Sequence, residues 1–260
     1  MDYSQVQELI KNAGIIMTKP ISEKEIHLKG TADFVTARDI EVQQFIYEGL
    51  KTLYPNIGFI GEESTETEMQ ESKQQWILDP IDGTTNYIYG YNMSAISLAL
   101  KDGDEIVFGI VYNPFTNELF EATKGQGAFL NGEPIKVSQK TKLRDSLVAV
   151  GTSPYYKELA DDVFDKIKRI YMKTLDIRRT GSAALDLAYV ACGRQDAYFE
   201  YNLKPWDYAA GSLIVKEAGG VICDASGKEL IFNGRGNAVA ACNSMVMQEM
   251  LDIVFVSKSS

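Results

Sequence analysis

The chain has 260 residues, of which 45% are hydrophobic, and 26 Lys and Arg against 36 Asp and Glu leave a net charge of −10. The length suits one large domain or two lobes sharing a core, and the composition excludes disorder. The acidic balance argues against a basic surface for nucleic acid polymers or anionic membranes, and an acidic chain that handles anionic substrates needs metal ions to screen them.

In chain order, apolar side chains recur at helical spacing from Val6 to Met17 and again from Ile40 to Leu53, where Asp39 or Thr36 is placed to cap the helix. Between them a polar, Gly-containing loop is expected from about Pro20 to Asp33. Ile57 to Ile60, Trp76 to Leu78, Ala95 to Leu100 and Ile106 to Tyr112 read as strands. Asn131-Gly132 signals a tight turn between Ala128-Phe129-Leu130 and Ile135-Lys136-Val137. The second half alternates: strand Leu147 to Val150, helix Leu159 to Tyr171, helix Ser182 to Cys192, strand Ala197 to Glu200, helix Asp207 to Ala218, strand Ala238 to Ala241 and a last helix from about Ser244. A sheet with two helices followed by strand and helix in turn predicts an α+β lobe over residues 1–140 and an α/β lobe over 141–260, forming one continuous unit with a soft boundary.

Cys192, Cys223 and Cys242 are odd in number and lack CxxC spacing, so they predict buried structural thiols in a reducing compartment. No signal-type start and no run of about 20 apolar residues is present, and a soluble, cytoplasmic protein is expected. His27 is the only histidine and stands in a polar context, where it reads as a solvated loop residue. Chemistry built on paired histidines is therefore excluded, and any metal must be held mainly by oxygen, which favours Mg²⁺, Mn²⁺ or Ca²⁺ over zinc or copper.

Four places carry chemistry. Asp79-Pro80-Ile81-Asp82-Gly83-Thr84-Thr85-Asn86 sets two carboxylates on either side of a proline turn, and Gly83-Thr84-Thr85 reads as a helix opening able to hold an anion. Gly61-Glu62-Glu63-Ser64 places paired acids at the carboxyl end of a strand, where ligands are commonly bound. Trp206-Asp207-Tyr208-Ala209-Ala210-Gly211 opens a helix with Asp207 in or near its first turn. The loop from Lys29 to Asp39 adds Asp33, Asp39 and a lysine. Taken singly, Glu62 or Asp207 is as well explained as a cap or a solvated acid, and the Lys29 to Asp39 loop as a turn.

Together these four ordered motifs resemble the inositol monophosphatase family of Mg²⁺-dependent, lithium-sensitive phosphatases, over a span from about residue 5 to the last helix. Lys216-Glu217-Ala218-Gly219-Gly220 follows the Trp206 motif as the family pattern expects. The resemblance implies a layered, alternating α-β-α-β-α sandwich of the sugar phosphatase type and a homodimer. It implies two or three Mg²⁺ per subunit, with Mn²⁺ a substitute. Glu62, Asp79 and the Ile81 carbonyl would be ligands of a first ion; Asp79, Asp82 and Asp207 would be ligands of a second. Asp39, with Lys29 and Asp33 nearby, would serve a third ion or its waters. The Gly83 and Thr84 amides would hold the phosphate, while Glu62 and the Thr84 hydroxyl position a water for in-line attack without a phosphoenzyme. Asp82, Ala183, Glu200 and Asp207 would meet the substrate's hydroxyl face.

Rival readings fit poorly. The spacing is Asp-x-x-Asp, where a phosphatase with an attacking carboxylate of the haloacid dehalogenase type needs Asp-x-Asp. A calcium loop would need acids where Pro80 and Ile81 stand. Gly125-Gln126-Gly127 lacks the third glycine of a dinucleotide fingerprint, since Leu130 stands in its place. The expected substrate is a small phosphate ester, inositol monophosphate first. Lys204, able to meet a second anionic group, and the absence of a serine counterpart around Gly151-Thr152-Ser153-Pro154 keep open NADP 2′-phosphate, fructose 1,6-bisphosphate and 3′-phosphoadenosine phosphates.

Overall fold

The computed structural model describes residues 2–20, 26–30, 33–64, 72–232 and 236–254. Helix α1 (Ser4–Met17) leads into a hairpin of β1 (Ile26–Gly30) and β2 (Asp33–Thr36), so the region expected as loop is partly paired strand. The side chains of His27, Lys29 and Asp33 lie outside the described residues. Helix α2 (Ala37–Leu53) starts at a capping box: the Thr36 hydroxyl accepts from the Arg38 and Asp39 amides, and Asp39 accepts from the Thr36 amide.

Seven strands then form one sheet in sequence order: β3 (Gly58–Gly61), β4 (Gln74–Asp82), β5 (Ala95–Asp102), β6 (Glu105–Asn113), β7 (Glu118–Thr123), β8 (Ala128–Leu130) and β9 (Glu133–Pro134). The β3–β4 pair is parallel and the others antiparallel. Asn131 and Gly132 both take positive φ, 51° and 84°, and close the expected tight turn. The strand after that turn is Glu133–Pro134, not Ile135 to Val137. Helix α3 (Thr84–Ile88) interrupts the sheet after β4.

A five-stranded sheet of order β11-β10-β12-β14-β13 follows, built from β10 (Leu147–Val150), β11 (Asp176–Arg178), β12 (Ala197–Leu203), β13 (Val221–Cys223) and β14 (Gly236–Ala241). Its helices are α4 (Ala160–Tyr171), α5 (Ala183–Ala191), α6 (Pro205–Glu217) and α7 (Ser244–Val254).

Side-chain alternation assigns the layers. In β5, Ile96, Leu98 and Leu100 face the cluster containing Val6, Ile10, Val42 and Ile46 of α1 and α2. Ala95 and Ala99 face the opposite way, into a second cluster shared with α5, α6 and the five-stranded sheet. Helices α4 and α7 cover the far face of that sheet, giving the α-β-α-β-α order. The middle layer is built of buried apolar side chains, and each fully buried aliphatic one contributes roughly 1.5–3 kcal/mol. A Cβ on Gly211 would come within 2.6 Å of Leu187 Cβ, so this glycine sets the close crossing of α5 and α6. The three cysteines are free; Cys242 is buried, but Cys192 at the C-terminal cap of α5 and Cys223 at the end of β13 are only half-buried, which corrects the expectation of three buried thiols.

Candidate active site

Strand β4 lies between β3 and β5, so its end carries Asp79, Ile81 and Asp82 into the interior. The segment expected as a proline turn is thus the buried end of a central strand. The ladder to β5 loses register between Asp79 and Asp82, and that irregularity is where Pro80, which has no N–H to donate, fits inside a sheet. Gly83 ends the strand with φ 87° and caps α3, whose first amides have no intrahelical acceptor. The Ser94 hydroxyl fixes this turn by donating to the Gly83 carbonyl at 2.9 Å.

The other acids arrive from three directions. The Glu62 amide donates to the Leu78 carbonyl at 3.0 Å, which continues the parallel β3–β4 pairing and sets Glu62 alongside Asp79. Asp207 is the third residue of α6; its Oδ2 accepts from the Lys204 amide at 2.6 Å, so it is a helix cap and a wall of the cavity at once. Ser97 on β5 holds the start of α6 by donating to the Trp206 carbonyl at 3.1 Å. Asp82 Oδ2 accepts from the Ser182 hydroxyl at 2.6 Å and the Ala184 amide at 2.7 Å, both at the start of α5. Thr84 Oγ1 lies 3.1 Å from the Ile81 carbonyl and 3.4 Å from Asp39 Oδ1, and its single hydrogen serves one of them at a time.

Glu200 stands at the end of the regular part of β12, where pairing with β14 becomes irregular. The Tyr198 hydroxyl donates to its Oε2 at 2.8 Å and the Ser153 amide to its Oε1 at 3.3 Å. Ser153 and Asn202 both hold left-handed backbone, φ 45° and 58°, and the Ser153 hydroxyl ties the two loops by donating to the Tyr201 carbonyl at 2.7 Å. Such strained non-glycine residues concentrate at functional sites.

These residues surround one cavity of about 530 Å³. Glu62, Asp79, Ile81, Asp82, Gly83 and Thr84 form one side; Ala183, Glu200 and Asp207 belong to the others. Asp39 reaches the cavity through Thr84 rather than lining it. Six acids line the wall (Glu62, Asp79, Asp82, Asp186, Glu200 and Asp207) against two cations, Arg179 and Lys204.

Burial, followed by the charges of Glu62, Asp82 and Asp207, pushes Asp79 well above the usual carboxylate range. Asp207 is also pushed well up, by burial and then by Asp82 and Glu62, although its edge is partly exposed along the cavity. Burial lifts Asp82 to about 6 against the opposing hydrogen bonds of Ser182 and Ala184, and lifts Asp39 to about 6 against those of Thr36. Acids that repel one another and have few cations to face are the donor set a hard divalent ion satisfies. Among the described residues no three such side chains are already drawn to the spacing of a closed ion site. They stand around the wall within electrostatic reach, and the fit rests on this all-oxygen chemistry.

Sequence reasoning missed Arg179, Ser182 and Asp186. Asp186 had a readable signal: it is the one charged residue in the otherwise apolar helix Ala183–Ala191, and a fully buried acid there needs partners. Arg179 and Ser182 carry no comparable mark, since their places depend on how α5 meets the end of β4.

Known proteins resemble this chain over nearly its full length. The inositol-1-monophosphatase of Mesorhizobium japonicum is 36% identical over 235 residues, covering 90% of this chain and 87% of the relative. The Nus factor SuhB of Escherichia coli is 42% identical over 227 residues, covering 87% and 84%. The crystal structure of the extragenic suppressor protein suhB from Bartonella henselae superposes with a TM-score of 0.90 at 36% identity, covering 98% of each chain. The sequence profile of the inositol monophosphatase family matches residues 2–255, and the chain belongs to that family.

Proposed function

We propose that the cavity is the active site of a Mg²⁺-dependent phosphomonoesterase that hydrolyses inositol monophosphate to inositol and phosphate. The observation that carries this reading is the meeting of Asp79 and Asp82, from the end of one strand, with Asp207, from the start of a helix far along the chain, beside a helix-opening turn with open amides.

In this reading Glu62, Asp79, the Ile81 carbonyl, Asp82 and Asp207 would hold two ions, with Asp39 near a third. Bound there, divalent ions supply charge neutralisation for the phosphoryl group and a more acidic water. The Gly83 and Thr84 amides bind the phosphate oxygens. The Thr84 hydroxyl, held to Ile81 or Asp39, orients the attacking water, and Glu62 accepts its proton. Ser182 and the Ala184 amide fix Asp82, leaving its other oxygen for an ion or a substrate hydroxyl. Glu200 accepts a hydroxyl of the leaving alcohol, and Ala183 leaves room for its ring. A homodimeric, cytoplasmic enzyme follows from the family resemblance. Sedimentation tests the dimer.

A broader specificity is supported by Lys204 and Arg179, the two cations on the cavity wall, which suit a second anionic group. A phosphate-release panel in Mg²⁺ over inositol 1-phosphate, NADP, fructose 1,6-bisphosphate and 3′-phosphoadenosine 5′-phosphate tests both. Preference for inositol 1-phosphate is expected. Preference for a doubly anionic substrate shifts the assignment to the broader reading, and release from none of them removes the phosphatase.

A further inference from the structure

Asp186 is 2% exposed, yet it lines the same cavity as Glu200 and Ala183. Its Oδ2 accepts from the Thr180 hydroxyl at 2.7 Å and its Oδ1 from Gln195 Nε2 at 3.1 Å. Each oxygen therefore has one protein donor, and a carboxyl oxygen has room for a second partner. The acids Glu200 and Asp82 both act on Asp186 electrostatically. Glu200 likewise has one donor on each oxygen, the Tyr198 hydroxyl on Oε2 and the Ser153 amide on Oε1. The two neighbouring carboxyls on the cavity wall therefore each keep acceptor capacity for a hydroxyl in the cavity.

We propose that Asp186 and Glu200 together form a receptor for two neighbouring hydroxyls of the leaving alcohol, which makes Asp186 a specificity-determining residue that selects polyol phosphates. Glu200 accepts from one hydroxyl and Asp186 accepts from the other. The inference rests on the phosphatase reading of this cavity. The competing explanation is that Asp186 serves only as an internal tie between Thr180 and Gln195.

The test is the ratio of kcat/KM for inositol 1-phosphate to kcat/KM for phenyl phosphate, whose leaving alcohol has no second hydroxyl. It is measured on the Mg²⁺-loaded full chain, wild type and D186A. Loss of a buried hydrogen bond to the polyol lowers that ratio by about tenfold, mainly through KM for inositol 1-phosphate. An equal loss on both esters, or an unmoved ratio, overturns the proposal and leaves an internal tie only. Should D186A fail to fold, the double variant D186L/Q195L gives the same readout, because removing both partners of a buried bond spares the stranded group. If the wild type releases phosphate from neither ester, the phosphatase reading fails. Calorimetric titration of inositol 1-phosphate into wild type and variant then decides the subsite separately: weaker binding to the variant sustains it, and equal binding ends it.

Discussion

The Ser182 hydroxyl donates to Asp82 Oδ2 at 2.6 Å, and this bond joins the end of a strand in the seven-stranded sheet to the first turn of helix α5 in the middle layer. Ser182 also accepts from the Leu185 amide at 3.3 Å, so one hydroxyl caps the helix and steadies a buried acid. Replacement by alanine removes both.

Ser182→Ala is expected to cost about 1–3 kcal/mol, the combined scale of a lost cap and a lost bond to a buried carboxyl. Urea unfolding in Mg²⁺ measures it. Activity should fall further than stability alone explains, because Asp82 loses the Ser182 hydroxyl as a donor and, in the proposed role, a loosened metal ligand would be a poor one.

Gly151 lies against Glu200 so closely that an ideal Cβ would stand 1.8 Å from the carboxyl carbon. Gly151→Ala must push the carboxylate off the Tyr198 hydroxyl and the Ser153 amide. The expected result is a destabilisation of about 1–3 kcal/mol from overpacking, with a raised KM for inositol 1-phosphate. Steady-state kinetics at saturating Mg²⁺ check this; an unchanged KM would remove Glu200 from substrate binding.

The acids also fix how stability responds to pH without metal. Asp39 and Asp82 rise from 3.8 to about 6 in the folded protein, and Asp186 to about 8. A folded state that binds more protons than the unfolded chain loses stability as pH rises. The stability these three acids contribute to the metal-free protein is therefore present near the unfolded value of 3.8 and lost as pH rises through 6 towards 8, so the melting temperature should fall across that upper range. Mg²⁺ should raise it most at the alkaline end, where the carboxylates are ionised, through mass action on the folded state. Thermal scans in chelator and in Mg²⁺ across that range measure both; curves that superimpose would count against divalent binding.

Much of this was legible before the fold was known, for reasons that differ between elements. The Thr36 and Asp39 capping box, the Asn131-Gly132 turn and the long amphipathic helices are local features, so residue type and spacing suffice. The Asp79 to Asn86 segment suggested a chemistry but not its conformation: Asp79 and Pro80 break the apolar run that marks a central strand, and the strand continues across the register shift against β5. Strand β7, Glu-Leu-Phe-Glu-Ala-Thr, has no clean alternation and is a strand because β6 and β8 pair with it. The three-residue strands Asp176–Arg178 and Val221–Cys223 are too short to signal themselves.

The site divides in the same way. Acids in a motif were readable as candidate ligands, and the fold brings them to one cavity wall. Those made important by packing, Ser182 and Arg179 among them, were not, because their neighbours come from other layers. Asp207 shows why single residues mislead: its capping bond to Lys204 fulfils the ordinary explanation completely, and its place on the cavity wall adds the other.

The most direct measurement is phosphate release from inositol 1-phosphate in Mg²⁺ by wild type and Asp79→Asn, with folding of the variant verified by thermal melting. Asparagine keeps the shape of a buried side chain acted on by Glu62, Asp82 and Asp207 but removes the charge that a divalent ion would need there. The account predicts turnover lower by at least about two orders of magnitude in a folded variant. Near-normal turnover in that folded variant would contradict it.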